Sequence, residues 1–270
     1  MQVKVAAIQM VSAPEVAANL ATAERLIIEA AAEGAEVALL PEYFCLMGRR
    51  DTDKLDIKEA PGGPIQTYLA ECARRHRITI IGGTVPMISA KAGRVLNTCT
   101  VFGPDGALIA RYDKIHLFGF KRGDEKFDEA ATILPGRTPV VCGLPTAAGP
   151  LLRTGLSICY DLRFPELYRQ MSPVDLIVVP SAFTYTTGQA HWELLLRARA
   201  VENQCYVLAA AQGGTHTTGR RTWGHSMLVD PWGEIKAVLP EGEGVVCGIV
   251  DAARIAEVRS SLPALTHRVL

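Results

Sequence analysis

The sequence has no surplus of charge: 28 Lys and Arg stand against 28 Asp and Glu in 270 residues. Nucleic-acid and acidic-membrane binders usually carry excess positive charge, so the balance argues against both kinds of partner. No apolar run approaches the ~18 residues of a membrane span. Met1 leads straight into a strand-like stretch without a basic n-region and apolar h-region, so no signal peptide is expected. C-x-x-C pairs are missing as well. The seven cysteines, Cys45, Cys72, Cys99, Cys142, Cys159, Cys205 and Cys247, are scattered singly, which gives no zinc or thiol-exchange motif. Odd in number and mostly in core-like surroundings, they point to a reducing compartment, hence the cytoplasm. Phosphate-cradling glycine loops do not occur, neither G-x-x-x-x-G-K nor a G-x-G-x-x-G between strand and helix. Linkers and low-complexity segments are also absent.

Apolar residues are plentiful. They make up 49% of the chain, enough to bury a large core. The length suits one α/β domain over residues 1–270. Val3 to Met10 reads as a strand. Ser12-Ala13-Pro14-Glu15 has capping-box spacing ahead of a helix whose apolar residues, Val16, Leu20, Ala23, Ile27 and Ala30, keep a 3.6-residue rhythm up to Gly34. Val37 to Leu40 is a buried strand, Pro64 to His76 a helix with proline in its first turn, and Ile78 to Thr84 a β-branched strand. Two strands flank the Pro104–Asp105–Gly106 turn between Val95 and Tyr112. Further on, Asp175 to Val179 and Tyr206 to Ala211 are strands around a helix from Gln189 to Gln204, and Met227 to Val238 is a hairpin. Alternating strands and helices with antiparallel hairpins predict two mixed sheets packed together, with helices outside.

Three polar residues stand where apolar strands run out: Glu42 after Val37–Pro41, Cys159 after Thr154–Ile158, and Lys114, which shares parity with Leu108, Ala110 and Tyr112. Strand ends are where α/β folds gather their sites. Taken singly, such a cysteine is most often core and such a lysine a snorkelling surface residue. Together they supply a nucleophile whose thiolate a nearby ammonium favours, an acid/base carboxylate, and a cation for an oxyanion. His191, His216 and His225 lack metal-ligand spacing, and a Cys–His arrangement using His191 or His225 stays open. Gly155-Leu156-Ser157-Ile158-Cys159 misses the nucleophile-elbow pattern at its last position, so Ser157 is a poor nucleophile. Trp192, Leu195, Leu196, Ala198 and Arg199 read as helix packing. Phe118 to Glu129 mixes aromatics with Lys121, Arg122, Asp124, Glu125 and Lys126, a solvated loop whose basic residues could meet an acidic substrate.

Pro41-Glu42-Tyr43-Phe44, Asp113-Lys114-Ile115-His116-Leu117-Phe118 and Cys159-Tyr160-Asp161-Leu162-Arg163-Phe164-Pro165-Glu166 resemble the three signature blocks of the nitrilase superfamily of carbon–nitrogen hydrolases. The likeness runs from Val3 to about Arg259. It implies an α/β fold, a four-layer αββα sandwich of two mixed sheets flanked by helices, and a homodimer formed through outer helices or a higher homo-oligomer. It carries the family's Glu–Lys–Cys triad onto Glu42, Lys114 and Cys159, with Glu129 as a fourth catalytic member and the Tyr160 backbone N–H as an oxyanion donor. Arg163, Phe183, Thr184 and His191 are the substrate-binding candidates. Thr187–Glu193, Asn203–Val207 and Gly224–Gly233 are similar to the deaminated-glutathione amidase branch, while omega-amidases share much of the pattern but depart over Gly119 to Lys126. The implied chemistry is hydrolysis of a small amide through a Cys159 thioester, with no metal or organic cofactor. An interaction protein on the same scaffold is the non-enzymatic alternative.

Overall fold

The computed structural model describes residues 1–123 and 125–269; Asp124 of the charged segment lies outside the described residues. The N-terminal half runs β1 (Gln2–Gln9), α1 (Val16–Ala32), β2 (Val37–Leu39), α2 (Pro64–His76), β3 (Thr79–Ile81), β4 (Val85–Ile88), β5 (Val95–Phe102) and β6 (Leu108–Asp113). A short hairpin, β7 (Gly119–Arg122) and β8 (Glu125–Asp128), leads to β9 (Val140–Leu144) and β10 (Leu152–Leu156). The C-terminal half continues with α3 (Pro165–Met171), β11 (Leu176–Ser181), α4 (Tyr185–Asn203), β12 (Tyr206–Ala211), the hairpin β13 (Gly213–Thr215) and β14 (Arg221–Trp223), β15 (Ser226–Val229), β16 (Ile235–Leu239), β17 (Gly244–Asp251) and α5 (Ala252–Ser261).

The first sheet has strand order β17-β1-β2-β3-β5-β4, with β6 on β5; the second runs β16-β15-β12-β11-β10-β9. Each holds a parallel centre, β1–β2–β3 in one and β10–β11–β12 in the other, extended by antiparallel strands. Period-two alternation decides what each face buries. Val3, Val5 and Ala7 of β1, with Val37 and Leu39 of β2, join the core that includes the second sheet. Ala6, Ile8, Ala38 and Leu40 face the other way, onto Leu26, Ile27, Leu69 and Ala73 of α1 and α2. Both faces of these strands are therefore apolar, as expected for a parallel sheet covered on both sides. On the far side, Leu167, Tyr168, Trp192 and Leu196 of α3 and α4 cover the second sheet. The layers are α, β, β, α.

Several expectations need correction. Ser12 caps nothing: its hydroxyl donates to the Phe44 carbonyl at 2.9 Å and accepts from Gln212 at 2.8 Å, so α1 starts from Glu15 without a side-chain cap. The long helix α4 begins four residues before Gln189, with Thr184 accepting from Thr187 N. Phe118 to Glu129 is not a loop but a hairpin with Phe120 opposite Phe127 and Lys121 opposite Lys126, its β character hidden by its charges. A register shift between Val101 and Phe102 breaks the alternation of β6, so Leu108 is exposed while Tyr112 and Lys114 are fully buried. No element was expected past Val238, yet β17 pairs with all of β1. Among the described residues no helix is long and apolar enough to cross a membrane.

Candidate active site

Glu42 follows the end of β2 in a turn where Tyr43 holds φ 57°. A Cβ on Gly83 would lie 2.2 Å from the Pro41 carbonyl oxygen, so only glycine lets the chain after β3 press so close to this turn. Lys114 follows the end of β6, its N–H bonded to Asn97 O at 2.9 Å and its carbonyl to Gly136 N at 2.8 Å. Glu129 opens a short turn after β8; its N–H donates to Phe118 O at 3.0 Å, and Phe118 N donates to Glu129 Oε2 at 2.7 Å. Cys159 follows β10 with φ 49°, an uncommon left-handed conformation for a side-chain-bearing residue.

Three of these residues form one hydrogen-bonded cluster. Lys114 Nζ donates to Glu42 Oε1 at 2.8 Å and to Glu129 Oε1 and Oε2 at 3.0 and 2.8 Å. Glu42 also accepts from Asn97 Nδ2 at 2.9 Å through Oε1 and from Ala182 N at 3.1 Å through Oε2. Tyr43 OH donates to Glu129 Oε1 at 2.8 Å. Lys114 is wholly buried and Glu42 nearly so, which is tolerable because each charge has partners.

The charges set the protonation states. Burial alone would lower the Lys114 pKa, but Glu129 and Glu42 overcome it and raise the value, so the ammonium persists. Burial pushes Glu129 up, and Lys114 with the Phe118 and Tyr43 hydrogen bonds more than reverses that, leaving it lowered. Burial pushes the Cys159 thiol well above its ordinary value; Glu42 and Glu129 reinforce the rise against Lys114 and the Ala182 N–H. Lys114 does favour the thiolate, as expected of a nearby ammonium, but it is outweighed. Burial is the largest cause and the two carboxylates add to it, so the resting sulfur is a thiol.

Cys159 lines a narrow cavity with Tyr160, Arg163, Phe183 and Thr184. Thr187, Phe118 and Ala182 complete it. His191 is not among these residues: it is exposed, its Nδ1 lies 3.3 Å from Arg163, and it lines a different hollow with Trp223 and His225. It stands one helical turn beyond Thr187, farther along α4 than the residues that line the Cys159 cavity. His225 stacks on Trp223 and bonds the Trp223 carbonyl at 2.9 Å, so among the described residues neither histidine pairs with Cys159. Ser157 is buried between Val178 O and Tyr168 OH, as fits a residue without a reactive role.

The sequence reading missed Asn97, Tyr43, Thr187 and Asp161. Asp161 is fully buried and accepts from Tyr112 OH at 2.7 Å, Ile158 N at 2.9 Å and His116 N at 3.0 Å, with His116 Nδ1 at 2.7 Å. It thereby ties both flanks of Lys114 to the residue before Cys159. A polar residue inside an apolar strand was the available signal for Asn97; for Asp161 it was its place within the Cys159 block.

Comparisons with known proteins agree with this geometry. A family model described as carbon-nitrogen hydrolase matches residues 4–260. The chain belongs to the carbon–nitrogen hydrolase family. It is 42% identical over 268 residues to the deaminated glutathione amidase of Synechocystis sp., covering 98% of this chain and 97% of that protein. It is 41% identical over 254 residues to human omega-amidase NIT2, covering 93% and 89%. Among solved structures, Saccharomyces cerevisiae Nit3, a member of branch 10 of the nitrilase superfamily, superposes with TM-score 0.86 at 31% identity over 97% of this chain and 94% of that one. These relatives bear out the expected family and the αββα sandwich, and they make this carbon–nitrogen hydrolase an amidase.

Proposed function

We propose that this carbon–nitrogen hydrolase, acting as a single domain, cleaves deaminated glutathione through a Cys159 thioester. The observation that carries the reading is the cluster of buried Lys114 and Glu42 with the mostly buried Glu129, coupled electrostatically to the thiol that lines the adjoining cavity.

Because the resting sulfur is a thiol, proton removal accompanies attack. Glu42 takes the Cys159 proton as the sulfur bonds to the amide carbon. The carbonyl oxygen becomes an oxyanion, held by Lys114 and by the Tyr160 N–H in the first turn after the strained Cys159. All three Lys114 protons are engaged at rest, so one of the two bonds to Glu129 is exchanged for the oxyanion. Glu42 then gives its proton to the departing nitrogen as the carbon–nitrogen bond breaks. Water enters, Glu42 accepts a proton from it, and the resulting hydroxide attacks the thioester. The thiolate leaves and is reprotonated by Glu42, which releases the acid. Glu129 positions Lys114, while Arg163, Phe183 and Thr184 contact the acyl group. The steps use side chains, one backbone N–H and water.

Deaminated glutathione is a 2-oxoglutaryl group joined by an amide to cysteinylglycine, so it carries a carboxylate at each end. The amidase of that name is 42% identical over almost all of both chains, which supports it over 2-oxoglutaramate, the omega-amidase alternative. We place the enzyme in the cytoplasm as a homodimer: its free cysteines suit a reducing compartment, and Leu194 and Val201 leave apolar surface exposed on the outer helix α4.

The test is Cys159→Ala, compared with wild type on deaminated glutathione and 2-oxoglutaramate, with circular dichroism to verify the fold. Loss of turnover by the folded variant, together with an acyl adduct on wild-type Cys159 by mass spectrometry, is the expected result. Appreciable turnover by the variant removes the thioester scheme.

A further inference from the structure

The cavity of Cys159 adjoins a larger one. A more open cleft lies across Phe118, a residue that lines both spaces. Tyr43 and Glu129 of the charge cluster form part of its wall, with Phe127 and the cations Arg50, Lys54 and Arg220.

The carboxylates on this wall do not neutralise those cations. Glu129 is occupied by Lys114, Tyr43 and Phe118 N. Asp51 and Asp128 are exposed to water. Arg50 turns instead to Asp53, at 2.9 Å. Among the described residues, Lys54 and Arg220 have no carboxylate within ion-pair distance. Lys54 Nζ makes one long hydrogen bond, 3.3 Å to Thr132 Oγ1, and sits 5.4 Å from the centre of the Tyr43 ring. Burial lowers its pKa although Glu129 and Asp51 oppose this, as for a cation short of counter-charge. The Arg220 guanidinium lies 5.4 Å from the centre of the Phe127 ring. Its Nε is shielded from water and has no hydrogen-bond partner among the described residues. Buried donors in native proteins are nearly always satisfied, so an orphan beside a cleft marks a place where an acceptor is missing.

We propose that the cleft is the subsite for the leaving amine, and that Arg220 and Lys54 receive the carboxylate at that amine's far end. The inference rests on the amidase reading above and makes it specific. The acyl group lies on the Cys159 side of Phe118 with Arg163, and the peptidyl amine on the Lys54–Arg220 side. An ammonia leaving group has no use for a cleft walled by unpaired cations; a dipeptide ending in a carboxylate does. Lys121, a basic residue the sequence offered for this task, is exposed on the β7–β8 hairpin and is absent from both cavity walls.

The test compares deaminated glutathione with the same molecule bearing an amide in place of its glycine carboxylate, in wild type, Arg220→Met, Arg220→Lys and Lys54→Met. Thermal unfolding verifies that each variant is folded. Wild type should favour the carboxylate form by about tenfold or more in kcat/KM, mainly through KM, as fits loss of a charge-assisted contact. That ratio should fall close to one in Arg220→Met, fall in part in Lys54→Met, and be partly kept in Arg220→Lys. A wild-type ratio near one, or a ratio that Arg220→Met leaves intact, overturns the subsite while leaving the amidase reading standing. Wild-type turnover of 2-oxoglutaramate without turnover of either larger amide overturns the peptidyl substrate and the subsite with it.

Discussion

Tyr43 touches two groups of charge that differ in how completely they are satisfied. Its hydroxyl donates to Glu129 at 2.8 Å, inside a cluster where Lys114 spends all its protons on carboxylates. Its ring lies under Lys54, beside Arg220, where an ammonium and a guanidinium have no carboxylate partner among the described residues. The first arrangement is preorganised: its geometry is set before any substrate arrives, so no reorganisation is needed when charge develops. The second lacks counter-charge, and what it lacks an anionic ligand can bring. Removing a cation should therefore have opposite consequences in the two places, damaging the folded protein in one and only substrate selection in the other.

Lys114→Met is the strongest test of that contrast. It leaves buried Glu42 and mostly buried Glu129 without their shared cation, and breaking such a pair typically costs about 3–5 kcal/mol. Urea unfolding should show a loss of that size, and kcat on deaminated glutathione should fall by roughly two orders of magnitude or more, as when an oxyanion donor is removed. Lys54→Met should leave the urea midpoint close to wild type. Equal destabilisation by both variants would erase the distinction.

Glu129→Gln sharpens the comparison through pH. The folded pKa of Glu129 is depressed, so its charge stabilises the native state above the unfolded carboxylate value and ceases to do so as pH falls through the folded one. The stability gap between wild type and Glu129→Gln should be about 2 kcal/mol at neutral pH, the scale of a charged hydrogen bond. It should hold down to about pH 4.3 and close below it. Lys114 acts in the opposite sense. Its raised pKa keeps its contribution intact below the unfolded lysine value and confines any loss to strongly alkaline solution. A gap that widened on acidification would mean that Glu129 is protonated in the native protein.

Parts of this contrast were legible in the sequence and parts were not. Glu42, Lys114 and Cys159 showed themselves because each interrupts an apolar strand end, a one-dimensional signal. Pro64 to His76 was readable for the same kind of reason, a proline at the first turn and a regular apolar face. Ser12 misled because its hydroxyl is claimed by Phe44 and Gln212, partners 32 and 200 residues away that no local pattern reveals. The depth at which Cys159 is buried, the largest cause of its raised pKa, was not legible either, because it depends on packing between distant stretches of chain. Arg220 was invisible for a similar reason: an arginine in a Gly-Arg-Arg turn reads as solvated until the Phe127 hairpin folds over it.

Asp161 extends the comparison to a third buried charge, one satisfied only by neutral donors and a histidine. Asparagine in its place keeps one acceptor oxygen but turns an amide N–H₂ toward donors such as Ile158 N, so the hold on the residue before Cys159 loosens. Asp161→Asn should lower kcat by about tenfold with KM nearly unchanged, on the scale of one lost charged hydrogen bond. Tyr112→Phe, which removes a single donor to the same carboxylate, should do less, with both variants still binding substrate as wild type does. The smallest effect belongs to Lys121→Ala. This lysine shares the sign of Lys54 and sits in the same stretch of chain as Glu129, yet its exposed side chain reaches neither cavity wall. Its removal should leave kcat/KM within about twofold of wild type at physiological salt, where screening limits exposed charges to short range. A tenfold loss would show that selection depends on the general positive field of the hairpin and not on the two cations enclosed beneath it.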